Sequence, residues 1–259
     1  MRLRANYFSA LFVAFMVIVT YAPIILVAAL SFNDFPYFVV NIRGFTTKWY
    51  FDIAARTDLL DAIKISVTLG LCTAALATTF GAAMAYALVR RDFVFKKYIT
   101  FSAAIPLLMP LLLLGIGIQL FMSLLGVGPG WWPLLAGHVL YTTPFTLLFM
   151  LTRILGLDPS LEAAARDLGA NTVQTFAWVI LPNIVWSLFG SFMLAFLLSF
   201  NELTLALFLA GPRQTLPLVI YAMMKVGIPP ALLAFTTLMI VSTMLVAIGI
   251  TATLAKIKR

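Results

Sequence analysis

The sequence predicts an all-α polytopic membrane protein with six transmembrane helices. Hydrophobic residues make up 63% of the 259 positions and charged residues only 10%, and the mean hydropathy is +1.07. A soluble domain carries about 25% charged residues. Apolar runs close to the roughly 20 residues that a membrane-spanning helix needs recur along the chain. The alternating pattern of a membrane β-strand is absent from the sequence, so helices are the expected spanning elements.

Six apolar runs are long enough to be spans, and together they predict a single transmembrane domain over residues 1–259. They cover about Tyr7–Leu30, Leu60–Val89, Tyr98–Leu125, Trp131–Leu155, Asn183–Leu209 and Ala231–Leu254. The first run is longer than the roughly 7–15 apolar residues of a cleavable signal peptide. We therefore expect it to be a retained first span.

The distribution of basic residues predicts the orientation of the spans. An even number of spans places both termini on one side, and with that side cytoplasmic, eleven of the 17 Lys and Arg residues lie inside and six outside. This excess favours an N-in, C-in arrangement. Because these bases flank apolar runs, the net charge of +8 does not indicate nucleic-acid binding.

Several spans contain residues that predict their packing. The second span is rich in Gly, Ala, Ser and Thr, which let helices approach closely in lipid. Pro106 and Pro110 predict a kink in the third span. His138 in the fourth span has no carboxylate or Cys near it in the sequence, so we expect a hydrogen-bonded packing or boundary residue rather than a metal ligand.

The fifth span contains the only acidic residue that must lie within a membrane segment, Glu202, preceded by Asn201. An ionisable group in the membrane is costly, so it is a candidate functional residue. The alternative is a structural role, in which Glu202 pairs with a base such as Arg213 or Lys225. The sequence leaves both interpretations open.

The residues Asp158–Pro182, called the central loop below, form the one long polar interlude between apolar runs. Asp158 is a plausible N-cap with Pro159 at the first helical position, where its missing N–H costs nothing. Ala163, Ala164 and Ala165 give this helix a smooth, narrow face. The charge bias places the central loop in the cytoplasm, where that face suits a groove on another protein.

A second short helix is predicted to follow within the central loop. Gly169 stands where a residue in the left-handed conformation ends the first helix. Asn171 restarts a helix with Gln174 as its capping-box partner, and Pro182 ends that helix or begins the fifth span.

These residues resemble the EAA motif of ATP-binding-cassette importer permeases. The matching features are Glu162-Ala163-Ala164, Gly169 seven positions after Glu162, and Leu181-Pro182 twelve positions after Gly169. The family pattern is E-A-A, three residues, G, nine residues and I-x-L-P, with Val179 here in place of Ile. Beyond the loop, GFTTKWY, AYALVR and SFNELTLALFLAGPRQTLPLVIYAMMKVG resemble the spermidine/putrescine permease subfamily.

The resemblance implies a type I importer permease with the MetI-like fold, in the bacterial cytoplasmic (inner) membrane. Such a subunit forms half of a translocation pore for a small polar or cationic solute, with a polyamine favoured. Its implied partners are a sibling permease in a heterodimer, two ATPase subunits, a periplasmic or extracellular substrate-binding protein and membrane lipid. ATP and Mg would be used by the ATPase, and this chain would bind no cofactor and be no enzyme. The absence of any Gly-Lys pair, and so of a phosphate-binding loop, agrees with this division.

The resemblance also implies roles for individual residues. The residues expected to couple the chain to the ATPase are Glu162, Ala163, Ala164, Asp167, Gly169, Leu181 and Pro182. Among them, Glu162 is expected to make a charged contact with the ATPase. Asn201 and Glu202 are expected to line the substrate pathway.

Other interpretations remain at this stage. The same class of importer carries other solutes, including opines, amino acid derivatives, phosphonates, iron and thiamine. A self-contained secondary transporter or channel is less favoured, because one intramembrane carboxylate offers little for ion coupling and no inverted repeat is evident. A membrane enzyme would need paired acids, a His cluster or an activated nucleophile, and the sequence suggests none.

Overall fold

A computed structural model describes residues 7–35 and 42–257, which form helices joined by short connections. The α-helices are α1 (Tyr7–Leu30), α2 (Lys48–Ala54), α3 (Thr57–Arg90), α4 (Lys96–Leu108), α5 (Leu111–Leu124), α6 (Trp131–Leu155), α7 (Ser160–Asp167), α8 (Thr172–Thr175), α9 (Leu181–Phe200), α10 (Thr204–Leu209), α11 (Leu216–Val226) and α12 (Pro230–Ile257). A π-helical turn at Phe176–Ile180 joins α8 to α9. The two predicted spans Tyr7–Leu30 and Trp131–Leu155 coincide with α1 and α6.

The chain divides into two compact units. One comprises residues 1–59 and 220–259, and the other comprises residues 60–219. The chain passes between them within α3 and within α11. The single permease domain over residues 1–259 stays a prediction.

In the first unit, α12 contacts both α1 and the short helix α2. Hydrogen bonds fix α2 to the end of α1: the indole N–H of Trp49 donates to the Asn33 carbonyl at 2.9 Å, and the hydroxyls of Ser31 and Tyr50 lie 2.6 Å apart. The short helix α2 is therefore held in place by the polar groups of its Trp49 and Tyr50 side chains.

In the second unit, the small residues of α3 allow close contact with α6. A Cβ atom added at Gly81 would overlap the Thr146 hydroxyl and lie 2.7 Å from the Leu147 backbone nitrogen. The Thr146 hydroxyl also donates to the Ala77 carbonyl at 2.7 Å. The predicted close packing of the second span is therefore observed, and only Gly fits at position 81.

Two apolar clusters hold the helices of the second unit together. One joins α3, α5, α6 and α10 through Leu69, Leu114, Leu134, Leu205 and Leu209. The other joins α3, α6, the π-helical turn and α9 through Leu88, Met150, Ile154, Ile180 and Ile184. The second cluster includes Ile180 of the central loop, so hydrophobic packing holds the end of the loop against α3 and α6.

The predicted third span is broken rather than kinked. α4 and α5 are bent by 112° at Met109 and Pro110. Met109 has an extended backbone (φ −85°, ψ 135°), as a residue before Pro prefers, and Pro110 has no N–H to continue the helix. Pro106, by contrast, lies inside α4 without interrupting it.

The predicted fifth span also differs from the structure. It begins further back, because α8, the π-helical turn and α9 form one continuous helical segment over Thr172–Phe200. It ends earlier, because α9 stops at Phe200 and α10 restarts at Thr204. The single helix predicted over Asn183–Leu209 is therefore wrong at both ends.

The helices identify a multi-pass membrane protein. Within residues 7–35 and 42–257, four helices are long and apolar enough to cross a membrane, or five if α4 and α5 are one broken span. The count of six spans and the N-in, C-in orientation stay predictions.

Candidate functional site

The first helix of the central loop begins at Ser160, one residue later than predicted. The Asp158 carboxylate accepts a hydrogen bond from the Ser160 backbone N–H at 2.9 Å, as a capping residue does. This bond stabilises the charged form and holds the pKa of Asp158 below its usual value. Pro159 has helical dihedral angles (φ −60°, ψ −23°), so the capping assignment holds although hydrogen bonding starts later.

The turn that ends α7 matches the prediction. Gly169 has φ +85°, in the left-handed region that favours glycine. The backbone N–H of Ala170 donates to the Ala165 carbonyl at 3.0 Å, which closes the turn at the end of the helix. Asn171 and Gln174 then form the predicted capping box, with two reciprocal bonds of 2.9 Å.

The second helix of the central loop is not a separate element. From Thr172 it runs through the π-helical turn into α9, so Leu181 and Pro182 lie in the first turn of α9 instead of ending a loop helix. Pro182 is tolerated there because the first backbone N–H groups of an α-helix have no partner within it. The central loop thus consists of one short helix, the turn at Gly169 and the first part of a continuous helix that leads into α9.

Glu162 is 7% exposed, and its carboxylate is bound within the protein. Arg90, the last residue of α3, donates from Nε to Glu162 Oε1 at 2.7 Å. Tyr86 donates its hydroxyl to Oε2 at 3.4 Å, and Arg166 lies 3.6 Å from the same oxygen. The predicted contact of Glu162 with an ATPase stays a prediction, but in this structure the charge faces inward.

The motif assignment needs a correction in its register. Four residues separate Ala164 from Gly169, whereas the family pattern has three. Counted back from Gly169, the pattern's glutamate falls at Ala163, and Glu162 stands one position earlier. One residue turns an α-helix by about 100°. This offset matches the structure, in which Ala163 is exposed and Glu162 is buried.

The outer surface of the central loop is small and apolar. Ala163, Ala164 and Asp167 are exposed, and Leu168 is 89% exposed. Beside them lies a groove of about 570 Å³, lined by Leu161, Ala164, Ala165, Leu168, Gly169, Ala170, Gln174, Trp178 and Val179. Among the predicted coupling residues, Ala164 and Gly169 line this groove, whereas Glu162 does not.

Glu202 lies in the turn between α9 and α10 rather than within a helix. Its Oε1 accepts hydrogen bonds from the backbone N–H groups of Thr204 (2.6 Å) and Leu205 (3.1 Å). Glu202 therefore caps α10, a structural role that differs from the predicted pairing with Arg213 or Lys225. Its neighbour Asn201 is exposed and donates from its amide to the Leu197 carbonyl at 2.9 Å.

The structure reveals two polar pairs that no sequence pattern indicates. In the sequence Arg90 is a basic residue at the end of a span and the last residue of AYALVR, and nothing near it indicates that it binds Glu162, 72 positions away. His138 Nδ1 lies 2.8 Å from the Ser199 hydroxyl, with both side chains buried, so His138 is the hydrogen-bonded packing residue that was predicted. No local pattern names either partner, because both pairs join distant helices.

Comparisons with known proteins agree with this architecture. A family model described as "Binding-protein-dependent transport system inner membrane component" matches residues 77–259. The spermidine/putrescine transport system permease protein PotC of Escherichia coli (strain K12) is 32% identical over 248 residues, covering 95% of this chain and 92% of PotC. The putrescine transport system permease protein PotI of the same strain is 30% identical over 228 residues, covering 85% and 81%.

Among solved structures, the chain resembles one from a bacterial ABC transporter involved in the import of the acidic polysaccharide alginate. The TM-score is 0.78, with 95% of each chain covered. The sequence identity is 17%, so this likeness concerns the fold. It confirms the predicted all-α fold of an ABC importer permease. With the family model covering most of its length, the chain belongs to the binding-protein-dependent transport system inner membrane components.

Proposed function

We propose that this chain is one of two permease subunits of an ATP-driven importer and forms half of its translocation pore. Its membership of the family and its fold support this role. In the proposed assembly it pairs with a sibling permease in a bacterial inner membrane. Two ATPase subunits use ATP and Mg on the cytoplasmic side, and a substrate-binding protein docks on the other side. The chain itself binds no cofactor.

The observation that carries this proposal is the exposed surface of the central loop. The caps of α7 and α8 satisfy their backbone groups internally, through Asp158, Asn171 and Gln174. What remains outside is a narrow alanine face and an apolar groove beside Leu168. An exposed apolar surface of this kind marks an interaction site. In an N-in, C-in chain, it faces the ATPase.

We further propose that the solute is a polyamine such as spermidine or putrescine. The names of the relatives PotC and PotI, which describe transport of spermidine and putrescine, support this class of substrate. A polyamine is a flexible cation, and the turn at the end of α9 contains the exposed Asn201 and the buried carboxylate of Glu202. The carbonyl end of an α-helix also carries partial negative charge, which favours a cation.

Replacing Leu168 with Asp tests the docking surface. The complex is isolated through a tag on this chain, with the ATPase and sibling permease expressed together. We expect L168D to lose most of the co-isolated ATPase while the sibling permease remains, because a charge in an apolar contact is costly to bury. Val226→Asp is the matched control, since Val226 is 93% exposed and is not a residue of the central loop. Full ATPase recovery with L168D would contradict the proposed docking surface.

A further inference from the structure

We propose that Arg90 and Glu162 form an internal latch that fixes the central loop to the end of α3. Arg90 is then a positioning residue for coupling to the ATPase. This inference rests on the proposed function for its mechanical role. The latch itself rests on contacts within the chain.

Arg90 and Glu162 form a largely buried ion pair rather than a surface ion pair. The side chains of Arg90 and Glu162 are only 13% and 9% exposed. Arg90 uses a second guanidinium nitrogen, Nη2, to donate to the Leu157 carbonyl at 2.9 Å. One guanidinium thus binds residues on both sides of the α7 start, Leu157 before it and Glu162 within it. The rigid fork of Arg suits this double contact, which Lys cannot reproduce.

The surroundings of the pair leave little room for it to move. Beside Arg90 and Glu162, the remaining space is about 10 Å³, which holds at most about one water molecule. Tyr86, one turn before Arg90 on α3, donates to Glu162 and packs edge-on against Phe176 with ring centroids 5.8 Å apart. The contact therefore extends from α7 to the π-helical turn, along one face of α3.

The position of Glu162 on α7 separates the latch from the docking surface. Glu162 and Ala165, three residues apart, are the buried residues of α7, and they share one helix face. Ala163, Ala164 and Asp167 are exposed on the rest of the helix. A partner that covers the exposed face therefore does not need the Glu162 carboxylate. The charge is used on the inner face, where its partner is Arg90.

The latch supplies a connection that the covalent chain does not. The backbone links α7 to α6 on one side and to α9 on the other, but it has no direct link to α3. Because Arg90 is the last residue of α3, a displacement of α7 is passed to α3 through the latch. α3 is in turn packed tightly against α6 at Gly81 and Thr146. The latch therefore makes α3 and α6 follow the central loop together.

The anchoring part is tested in the purified chain alone. Trypsin cleavage after Arg166, which is 56% exposed, is followed by mass spectrometry. We expect Arg90→Gln and Glu162→Gln each to speed this cleavage at least fivefold, and the exposed neighbour Arg91→Gln to leave it unchanged. Equal rates in all four proteins would overturn the anchoring.

The coupling part is tested in the complete importer reconstituted in liposomes. We measure ATPase recovery, ATP hydrolysis and spermidine uptake in the same preparations. We expect R90Q and E162Q to keep the ATPase and its hydrolysis while spermidine imported per ATP falls at least fivefold. The charge swap Arg90→Glu with Glu162→Arg restores the ion pair but not the donation to Leu157, so it should recover part of that ratio, and Arg90→Lys should also recover part of it. A wild-type importer that hydrolyses ATP without uptake would instead overturn the proposed function.

One pattern would overturn the latch while leaving the proposed function intact. In it, E162Q loses the co-isolated ATPase, R90Q behaves as the wild type, and the charge swap restores nothing. That result would assign Glu162 to the ATPase interface. If R90Q does not insert into the membrane, R90K takes its place. An R90K importer that moves as much spermidine per ATP as the wild type would contradict the need for the two guanidinium contacts.

Discussion

At the scale of single residues, Glu202 combines a charge with a structural contact. Its carboxylate caps α10 by accepting from two backbone N–H groups, and it stands next to the exposed Asn201. The cap needs only an acceptor oxygen, whereas attraction of a cation needs the negative charge. Substitutions can separate the two roles.

Glu202→Gln keeps an acceptor oxygen and removes the charge, whereas Glu202→Ala removes both. We expect E202A to lower the free energy of unfolding by about 0.5–2 kcal/mol, the usual cost of a lost cap. We expect E202Q to unfold like the wild type but to raise the KM for spermidine roughly tenfold, which corresponds to about 1.4 kcal/mol of binding. Thermal unfolding and uptake kinetics measure the two effects. A normal KM with E202Q would leave Glu202 as a cap only.

Gly169 is the second residue with a definite requirement. Its φ of +85° is strained for any other residue, although no atom lies within 4 Å of an added Cβ. We expect Gly169→Ala to cost roughly 1–2 kcal/mol in the α7 turn, because left-handed backbone is unfavourable for L-residues. The turn should distort and uptake should fall, with membrane insertion unchanged. Gly117→Ala is the control, since Gly117 also has open space but no positive φ. Normal uptake by G169A would contradict the role of this turn.

At the scale of elements, α3 connects the membrane part of the second unit to the central loop. Its small residues pack against α6 and α9, and its last residue binds Glu162. Because these residues of α3 are small, α3 approaches α6 and α9 closely, and we expect helices packed in this way to move together. The close approach is clearest at Gly81, where an added Cβ would overlap Thr146 of α6.

Gly81→Val tests this packing. The added methyl groups would meet the Thr146 hydroxyl and the Leu147 backbone, which cannot move away as a flexible side chain can. Overpacking of this kind costs about 1–3 kcal/mol. We expect G81V to unfold at lower temperature in detergent and to insert less well. The same G117A protein serves as control, and a G81V protein with unchanged unfolding would contradict the close α3–α6 contact.

The elements also show what a sequence can predict. α6 has the predicted limits and α1 the predicted end, because continuous apolar runs end at polar or turn-forming residues. The capping box at Asn171 and the left-handed Gly169 were predictable because both depend on residues within a few positions. The end of α9 at Phe200 was not, because no Gly or Pro marks it in the sequence and the Glu202 side chain caps the next helix.

The contacts at the candidate site were harder to predict for a related reason. Glu162 was expected at an interface, since the resemblance to the EAA motif implies a charged contact with the ATPase. Its burial depends on Arg90, 72 positions away, and on the helix phase that places one residue inward and the next outward. Sequence periodicity describes a single helix, and it contains no information on which distant helix lies opposite.

At the scale of the whole molecule, the proposed function is that of a chain that moves a solute and relies on another subunit for energy. The family and the fold fix the class of protein. The proposed ATP-driven mechanism differs from that of a secondary transporter in one respect that can be measured. It needs the ATPase and ATP, and it needs no ion gradient.

The most direct test is spermidine uptake into liposomes that contain this chain with its sibling permease, the ATPase and the binding protein. We predict uptake that requires ATP and the binding protein, persists when ionophores remove all ion gradients, and stops when the ATPase is omitted. Uptake by this chain alone, driven by a proton or sodium gradient and indifferent to ATP, would contradict the account.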